Sequence, residues 1–561
     1  MSSGREDECT WTRQTARQPR TEAHFEAMRK RADALREYAN LLESMLEKCR
    51  REHGGISDNS QSYLQFRPLD ADGMVLPDEM EVEEDEMSDG TDDPTQELCL
   101  PTQNLKLDGG GLYFHGNTAI FRFAQAEVPL PSISRFPAIV ENPDATYVLL
   151  VDGVDESHYN PDFDWSRHLP SVVPLDRREH DKVLDLLFKF FTSWCFRVVP
   201  ALFLRDMYRA LSVPRSQSSP KTPHYSPMLH NALVALATAF SDDPRIRDFK
   251  SRQYFAKAAK DMVEEEYQKP NLSAIHALSI LASFYSAQGD QSLGYMYFGM
   301  SARMSQALGL GIDCSAWVQA GLISEHDRLD RNWAYWTTFG QDVCWSLYVG
   351  RNFCVPLPSD HERIPVPFVD SEFDQMPWHY PSSNNAPQPN YLSKTFAASC
   401  KLLMIARRIM DVVNSLNSGN MRQVVNDELI SDIDLQLNTW KSSLSPGVDM
   451  TLKSRPTATP HRLMLHAAYW WLFVLLHRPF YHRKLRHSSD REIDHVKLCK
   501  RAAENILELA HTWRNLYTLR YPPFTFVQTI FSAGTVFLLS AVQATSGPRV
   551  AQKELANGMD K

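Results

Sequence analysis

A chain of 561 residues is too long for one core of ordinary size, and its 43% hydrophobic and 11% aromatic content excludes a chain disordered throughout. The formal net charge of -10 excludes a uniformly basic nucleic-acid coat, although a local basic segment can sit inside an acidic total. Nine cysteines without paired spacing, and a start that does not read as a secretory signal, predict a reducing compartment, cytosol or nucleus.

Residues 1–22 contain Cys9 and a basic linker carrying Pro19, and one basic segment follows: Arg13 to Arg51 holds ten Lys or Arg against six Asp or Glu. Within 23–53, Met28, Leu35, Leu42 and Cys49 recur every seven residues, with Tyr38 and Met45 at the other seam position. That spacing predicts a short dimerising coiled coil. Arg31 stands in the seam where an apolar residue belongs, so a solvated helix is the competing reading.

Residues 54–110 lack sustained periodicity and include the acidic block DEMEVEEDEMSDGTDD at 78–93, which predicts a disordered linker; its methionines and valine would also suit an acidic activation segment. After the glycines at 109–111, the stretch LYFHGNTAIFRF opens a segment, 111–177, expected to lie extended against the larger body.

From 178 to 545 the pattern is helical and strand signals are nearly absent, so the fold class is all-α: a large multi-helix domain behind a short coil and a linker. Val183, Leu186, Leu187, Phe190 and Phe191 form an apolar stripe that Pro200 is expected to end or bend. Ser226 and Pro227 suit a helix cap and first helical position, and Gly289-Asp290 joins two helices, the second ending at Gly309 or Gly311. Further helices are predicted at Arg331 to Val349, Thr395 to Leu416, Arg462 to Leu476, Lys497 to Trp513 and Phe524 to Val542. Residues 355–392, with eight prolines, read as an irregular surface excursion, and 546–561 as a disordered tail. Neither long apolar run, Leu463 to Leu476 or Phe524 to Val542, supplies about 20 consecutive apolar residues, so both are expected as buried helices, with no membrane partner.

The chemistry expected of an enzyme is not written in the chain. No G-x-S-x-G elbow, Walker loop or H-E-x-x-H pair occurs, and the Gly309 and Gly311 alternation follows a helix where a dinucleotide loop follows a strand. His461, His466, His477 and His482 are spaced wrongly for one helical metal site and lack a cysteine or acidic partner. The chain is therefore read as a non-enzyme.

In RNWAYWTTFGQDVCWSLYVGR, at 331–351, Trp333, Trp336, Phe339 or Gly340, Val343 and Leu347 share a stripe that Tyr335, Trp345 and Tyr348 widen, so this helix should sit centrally. Asp342 then enters apolar surroundings and needs a cation or donor, expected to be Arg478 or His477 of HRPFY; the alternative is a capped surface carboxylate. Arg351 points to the opposite side, and Pro479 stops the helix before it.

Five stretches in order carry a family resemblance: LFKFFTSWCFRVVPALFLRDM, SPMLHNALVALATAFSDDPRIR, GYMYFGMSARMSQALGLG, the tryptophan-rich stretch and LHAAYWWLFVLLHRPFY. Together they resemble the regulatory domain of fungal-specific transcription factors, the middle homology region also named after xylan-utilisation activators, over roughly 180 to 545. The residues that carry it include Arg331, Trp333, Trp336, Asp342, Gly350, Arg351, His477, Arg478 and Pro479; where the family usually has proline after the Gly-Arg pair, this chain has Asn352. Cys9 followed by a basic linker and a heptad helix also resembles the exit from that family's six-cysteine binuclear zinc cluster. Cys9 is the one candidate zinc ligand, so zinc is implied for intact relatives while this chain cannot hold a full cluster.

The resemblance implies a nuclear DNA-binding transcription factor acting on RNA polymerase II transcription through a helical domain that takes a small effector or partner proteins. Its partners would be DNA, a homodimer or heterodimer partner joined through Met28, Leu35, Tyr38, Leu42 and Met45, and transcriptional co-regulators. Without the cluster, Arg13, Arg17, Arg20, Arg29, Lys30 and Arg31 would contact phosphate alone, giving salt-sensitive, sequence-tolerant binding. The alternative is a truncated regulator without DNA binding that acts as a dimerisation or scaffold partner.

Overall fold

Asp176, Ser226, Asn271, Asp290, Ser324 and Asp494 each stand one residue before a helix, and each side chain accepts the amide hydrogen of the residue three further on. Each satisfies an otherwise orphaned donor of the first turn, an effect of about 1 kcal/mol. The computed structural model describes residues 104–108, 111–115, 147–151, 163–217, 219–220, 222–268, 270–357, 371–383, 385–417, 423–481 and 493–543. The sequence-predicted coil at 23–53, the acidic block and the tail at 546–561 lie outside these residues.

Two strands, β1 (Asn104–Asp108) and β2 (Gly111–His115), pair antiparallel with Asp108 opposite Gly111. Residues 104–108 were expected in the linker; the alternation of Leu105 and Leu107 with polar neighbours, closed by glycines, makes a hairpin instead. Helix α1 (Arg177–Leu186) then runs into a wider turn at Leu187–Phe191 and a tight turn at Trp194–Phe196 before α2 (Pro200–Leu211). The chain bends by 108° here. Pro200 does not end a helix; it starts α2, where its missing N–H costs nothing, and the break falls upstream at the tight turn.

Next come α3 (Pro227–Ala237), α4 (Pro244–Arg247), α5 (Phe249–Asp261), α6 (Val263–Gln268), α7 (Leu272–Ala287) and α8 (Gln291–Ala307). The α7–α8 turn uses Gly289 at φ +89° and the Asp290 cap. At Gly294 a Cβ would meet Ser286 Oγ at 1.9 Å and Ala282 O at 2.9 Å, so glycine is what lets the two helices cross closely. After α9 (Ser315–Gln319), helix α10 (Glu325–Val349) starts six residues before the expected Arg331, because Ser324 and Asp327 form a reciprocal capping box.

In the proline-rich excursion, α11 (Ser371–Gln375) precedes the pair β3 (Pro377–Trp378) and β4 (Gln388–Pro389). Buried Asp374 accepts the amide hydrogens of Ser393 and Lys394, pinning that segment to the start of α12 (Leu392–Asn417). Helix α13 (Gln423–Ser442), which the sequence reading did not place, is followed by α14 (Pro460–His477), α15 (His495–Tyr517) and α16 (Phe524–Gln543).

One hydrophobic cluster runs from Tyr147 to Val536 and takes in both faces of α3, α7, α10 and α14. Helix α16 departs from the expected buried helix. It has the length and hydropathy of a membrane span, yet Phe526, Ser532, Ala533 and Val536 face the body, where Trp471 Nε1 donates to Ser532 Oγ at 3.2 Å. Its opposite face exposes Val527, Phe531, Leu538 and Val542.

Candidate functional site

The tight turn after α1 holds two consecutive strained residues: Cys195 and Phe196 adopt φ of 57° and 45°, where side chains other than glycine are rare. Helix α10 holds it there. Trp333 Nε1 donates to the Phe196 carbonyl at 2.9 Å and Thr337 Oγ1 to the Cys195 carbonyl at 2.7 Å, so two buried acceptors that the turn frees are satisfied. Burial pushes the Cys195 thiol up, and its hydrogen-bonded neighbour Cys344 adds to the shift.

The turn delivers Arg197 into the interior. Its Nε donates to Gln341 Oε1 at 2.8 Å and its Nη2 to Ser283 Oγ at 2.8 Å, with a second, short bond from Nη2 to the same Gln341 oxygen. Ser279 also donates to that oxygen, and Gln341 Nε2 reaches the Thr337 carbonyl. The Phe191 ring lies 5.3 Å from the guanidinium. Desolvation lowers Arg197 to about 10, which leaves it cationic at neutral pH, yet among the described residues none of its hydrogen-bond partners is a carboxylate. Such a buried cation costs on the order of several kcal/mol unless something neutralises it.

Beside Arg197 lies a cavity of ≈ 40 Å³ bounded by Phe191, Trp194, Cys195, Ser283, Gln341, Cys344, Trp345 and the α16 entry Pro523–Thr525 with Gln528. It sits where the strained turn, α7, α10 and the first turn of α16 converge. None of the lining residues carries a carboxylate.

Asp342, the neighbour of Gln341, is buried, as the apolar setting predicts, but neither Arg478 nor His477 is its partner. Its carboxylate accepts the amide hydrogens of Cys354 at 2.8 Å and Val355 at 2.8 Å, in the loop that follows α10. Burial raises its pKa to about 6, against the pull of those two donors and the Arg407 guanidinium. The same loop is held by Arg407 donating to the Val355 carbonyl at 2.7 Å, by Tyr335 OH donating to the Pro356 carbonyl at 2.9 Å, and by Gln306 donating to the Cys354 carbonyl. A segment supplied with its own donors leaves no place for a distant cation. His477 Nδ1 instead meets His495 Nδ1 at 3.0 Å, and Arg478 Nη1 donates to Thr535 Oγ1 at 3.4 Å.

Residues 184–442 match the model of the fungal specific transcription factor domain. That segment, a little under half of the chain, is what is similar to this domain. The chain is 25% identical over 395 residues to the nitrogen assimilation transcription factor nit-4 of Neurospora crassa, covering 67% of this chain and 34% of that one. It is 26% identical over 420 residues to the nitrogen assimilation transcription factor nirA of Emericella nidulans, covering 71% of this chain and 44% of that one. A third relative, the uncharacterized transcriptional regulatory protein C1683.13c of Schizosaccharomyces pombe, is 22% identical over 330 residues. The chain thus spans less than half the length of the first two relatives. No solved structure matches.

The motif residues are structural. Arg331 Nη2 donates to the carbonyls of Leu308 and Gly309 at 2.6 and 3.2 Å, closing the end of α8. Trp336 is fully buried between Tyr335 and Phe339. Gly350, at φ +67°, ends α10, Arg351 lies 4.0 Å from the Tyr295 ring on the surface, and Pro479 sits in the short turn that follows α14. The three described histidines of the 461–482 set go to separate partners: His461 to the Asn390 carbonyl, His466 to the Val448 carbonyl and His477 to His495. Among the described residues no group of three or more His, Cys, Asp or Glu could hold a metal.

Cys9, the basic residues Arg13, Arg17, Arg20, Arg29, Lys30 and Arg31, and the seam residues Met28, Leu35, Tyr38, Leu42 and Met45 lie outside the described residues. The site around Arg197 was not anticipated. Its one legible signal was Gln341-Asp342, two polar residues in a row in the middle of an aromatic helix.

Proposed function

We propose that this protein is a nuclear, DNA-binding transcription factor that regulates RNA polymerase II transcription, its helical body taking a small effector or partner proteins. The observation that carries the reading is the family match at 184–442, which runs from the last turn of α1 to the end of α13. The body is a regulatory unit rather than an enzyme. Transcriptional co-regulators meet it, and residues 23–53 join two chains, as a homodimer or with a longer relative, through the Met28, Leu35, Leu42 seam.

DNA contact runs through the basic stretch 13–31, whose arginines neutralise phosphates; zinc belongs to relatives with the full six-cysteine set, since Cys9 alone cannot hold a binuclear cluster. The names of the two nitrogen assimilation factors make genes of that class the first targets to test.

The test joins the full chain to a heterologous DNA-binding domain over a reporter, and follows a fluorescently tagged chain in fungal cells. Expected are a several-fold change in reporter transcription and nuclear accumulation. An unchanged reporter together with a tag spread through the cytoplasm would sink the reading. Light scattering should show self-association that is lost on changing Leu35 and Leu42 to Asp.

A further inference from the structure

We propose that the cavity beside Arg197 is the effector site of the body, and that it takes the carboxylate of a small monoanionic organic acid. This rests on the reading of the body as an effector-binding regulatory unit, and adds where the effector sits and what chemistry it carries.

Three independent features converge on a negative ligand. Arg197, 8% exposed, spends Nε and Nη2 on Gln341 and Ser283, and its Nη1 has no hydrogen-bond partner among the described residues. One further polar group lining the cavity is buried without a partner there. The Trp194 indole N–H, on a side chain 5% exposed, has no acceptor among the described residues; the Gln528 side chain also lines the cavity and makes no hydrogen bond among the described residues. Buried donors are almost always satisfied, so an idle indole N–H beside a guanidinium with a spare nitrogen marks an absent acceptor. Finally, α16, a helix of 20 residues, begins at the cavity wall with Phe524 and Thr525, and a helix start of that length presents unpaired amides and positive potential to an anion.

Size and wall chemistry narrow the class. A cavity of ≈ 40 Å³ holds a few water-sized groups, which suits a carboxylate with a short carbon stub and excludes a nucleotide or a sugar phosphate. A single guanidinium balances one negative charge. The aromatic walls of Phe191, Trp194, Trp345 and Phe524 suit hydrocarbon next to the charged end. One carboxylate oxygen would take the free Arg197 nitrogen, and the other the Gln528 amide or the Trp194 N–H. Because Gln341 and Ser283 belong to α10 and α7 while Gln528 belongs to α16, the ligand would bridge elements from distant parts of the chain.

The test titrates the purified full-length chain with sodium formate, acetate and propionate, each against sodium chloride at equal ionic strength. The readouts are intrinsic tryptophan fluorescence, to which Trp194 and Trp345 contribute at the site, and thermal melting. Saturable responses to the carboxylates are expected, with a midpoint at least tenfold below that of chloride. Arg197→Gln should abolish them. Since that change also removes buried hydrogen bonds, Gln528→Leu decides: it breaks no hydrogen bond of the described chain, should leave the ligand-free melting temperature unchanged, and should raise the acetate midpoint at least threefold. An equal response to chloride, or a Gln528→Leu midpoint equal to the parent's, overturns the proposal. Saturation by inorganic phosphate without any response to carboxylates overturns the ligand class. No DNA or reporter enters this experiment, so its failure is separate from failure of the transcriptional role.

Discussion

Asp342 Oδ2 accepts the amide hydrogen of Val355 at 2.8 Å, thirteen residues further along the chain, and so ties the middle of the aromatic helix α10 to the loop that follows it. Changing Asp342 to Asn disturbs an acceptor shared by the Cys354 and Val355 amides, and hydrogen bonds contribute about 0.5–1.5 kcal/mol each. The loss should depend on pH in a direction set by the raised carboxyl. With a folded pKa of about 6 against 3.8 unfolded, the native state binds more protons in this window, so the contribution of Asp342 is largest below pH 4 and is lost as pH rises through 6. The cost of Asp342→Asn, read from melting temperatures of parent and variant, should therefore shrink between pH 5 and pH 7. A cost that grows over that range would contradict the buried, raised carboxyl.

The histidines act in the opposite sense. Burial lowers His276, His461 and His477 to about 3 and His466 to about 4, and drives His230 well below its ordinary 6.5, with His180 and His168 adding to the effect. Each is neutral in the fold and takes a proton on unfolding below pH 6.5, so stability is complete above that pH and is lost on acidification. Five such groups outweigh the opposing carboxyls of Asp342, Asp185 and Asp434, which burial raises, and a net uptake of protons is expected on unfolding at about pH 5.5. Melting followed from pH 7 to pH 5 should show a steadily falling transition temperature, and direct proton-uptake measurement should give the same sign. A flat profile would mean that these histidines are already charged in the folded protein.

The parts of the molecule that sequence reading reached are those governed by neighbours along the chain. Ser226 before Pro227, Gly289-Asp290 between two apolar stripes and the aromatic band from Trp333 to Val349 each specify a local element, and each appears where expected. Burial of Asp342 was legible for the same reason. Its partner was not, because a backbone amide of a nearby loop leaves no residue-type signature, whereas Arg478 and His477 attract attention by charge. The Arg197 cluster was hidden for a different reason. It joins residues 86 and 144 positions apart, and only the sharp, positive-φ turn at Cys195 and Phe196 makes them meet. Helix α13 escaped notice because its buried Ile430, Ile433, Leu437 and Trp440 alternate with many charged and polar residues, so its stripe is narrow.

Trp333 supports that turn, and its two contributions can be separated. Trp333→Phe keeps an aromatic ring against His276, whose centroid lies 4.4 Å away, but removes the N–H that satisfies the Phe196 carbonyl. An unsatisfied buried acceptor costs about 1–3 kcal/mol, with a further cost from the lost ring volume. The urea midpoint should fall accordingly. The turn should also open more often, so that mass spectrometry detects alkylation of the buried Cys195 at least tenfold faster than in the parent under native conditions. Destabilisation without faster Cys195 labelling would mean that the turn is held by Thr337 alone.

Phe526 and Phe531 give the sharpest test of how α16 is placed, since they are the same residue five positions apart on one helix. Phe526 is fully buried and its ring lies 4.7 Å from Trp513, whereas Phe531 is 71% exposed. Removing a buried phenylalanine leaves a cavity and costs about 3–5 kcal/mol, while truncating an exposed one changes stability by less than about 0.5 kcal/mol. Phe526→Ala should accordingly lower the melting temperature strongly and Phe531→Ala hardly at all, with both proteins kept in aqueous buffer without detergent. If α16 instead left the body to span a bilayer, Phe526 would no longer pack on Trp513, and the two substitutions would have similar effects. Unequal costs would establish the helix as a half-buried part of the regulatory body, with the stripe of Val527, Phe531, Leu538 and Val542 facing outward.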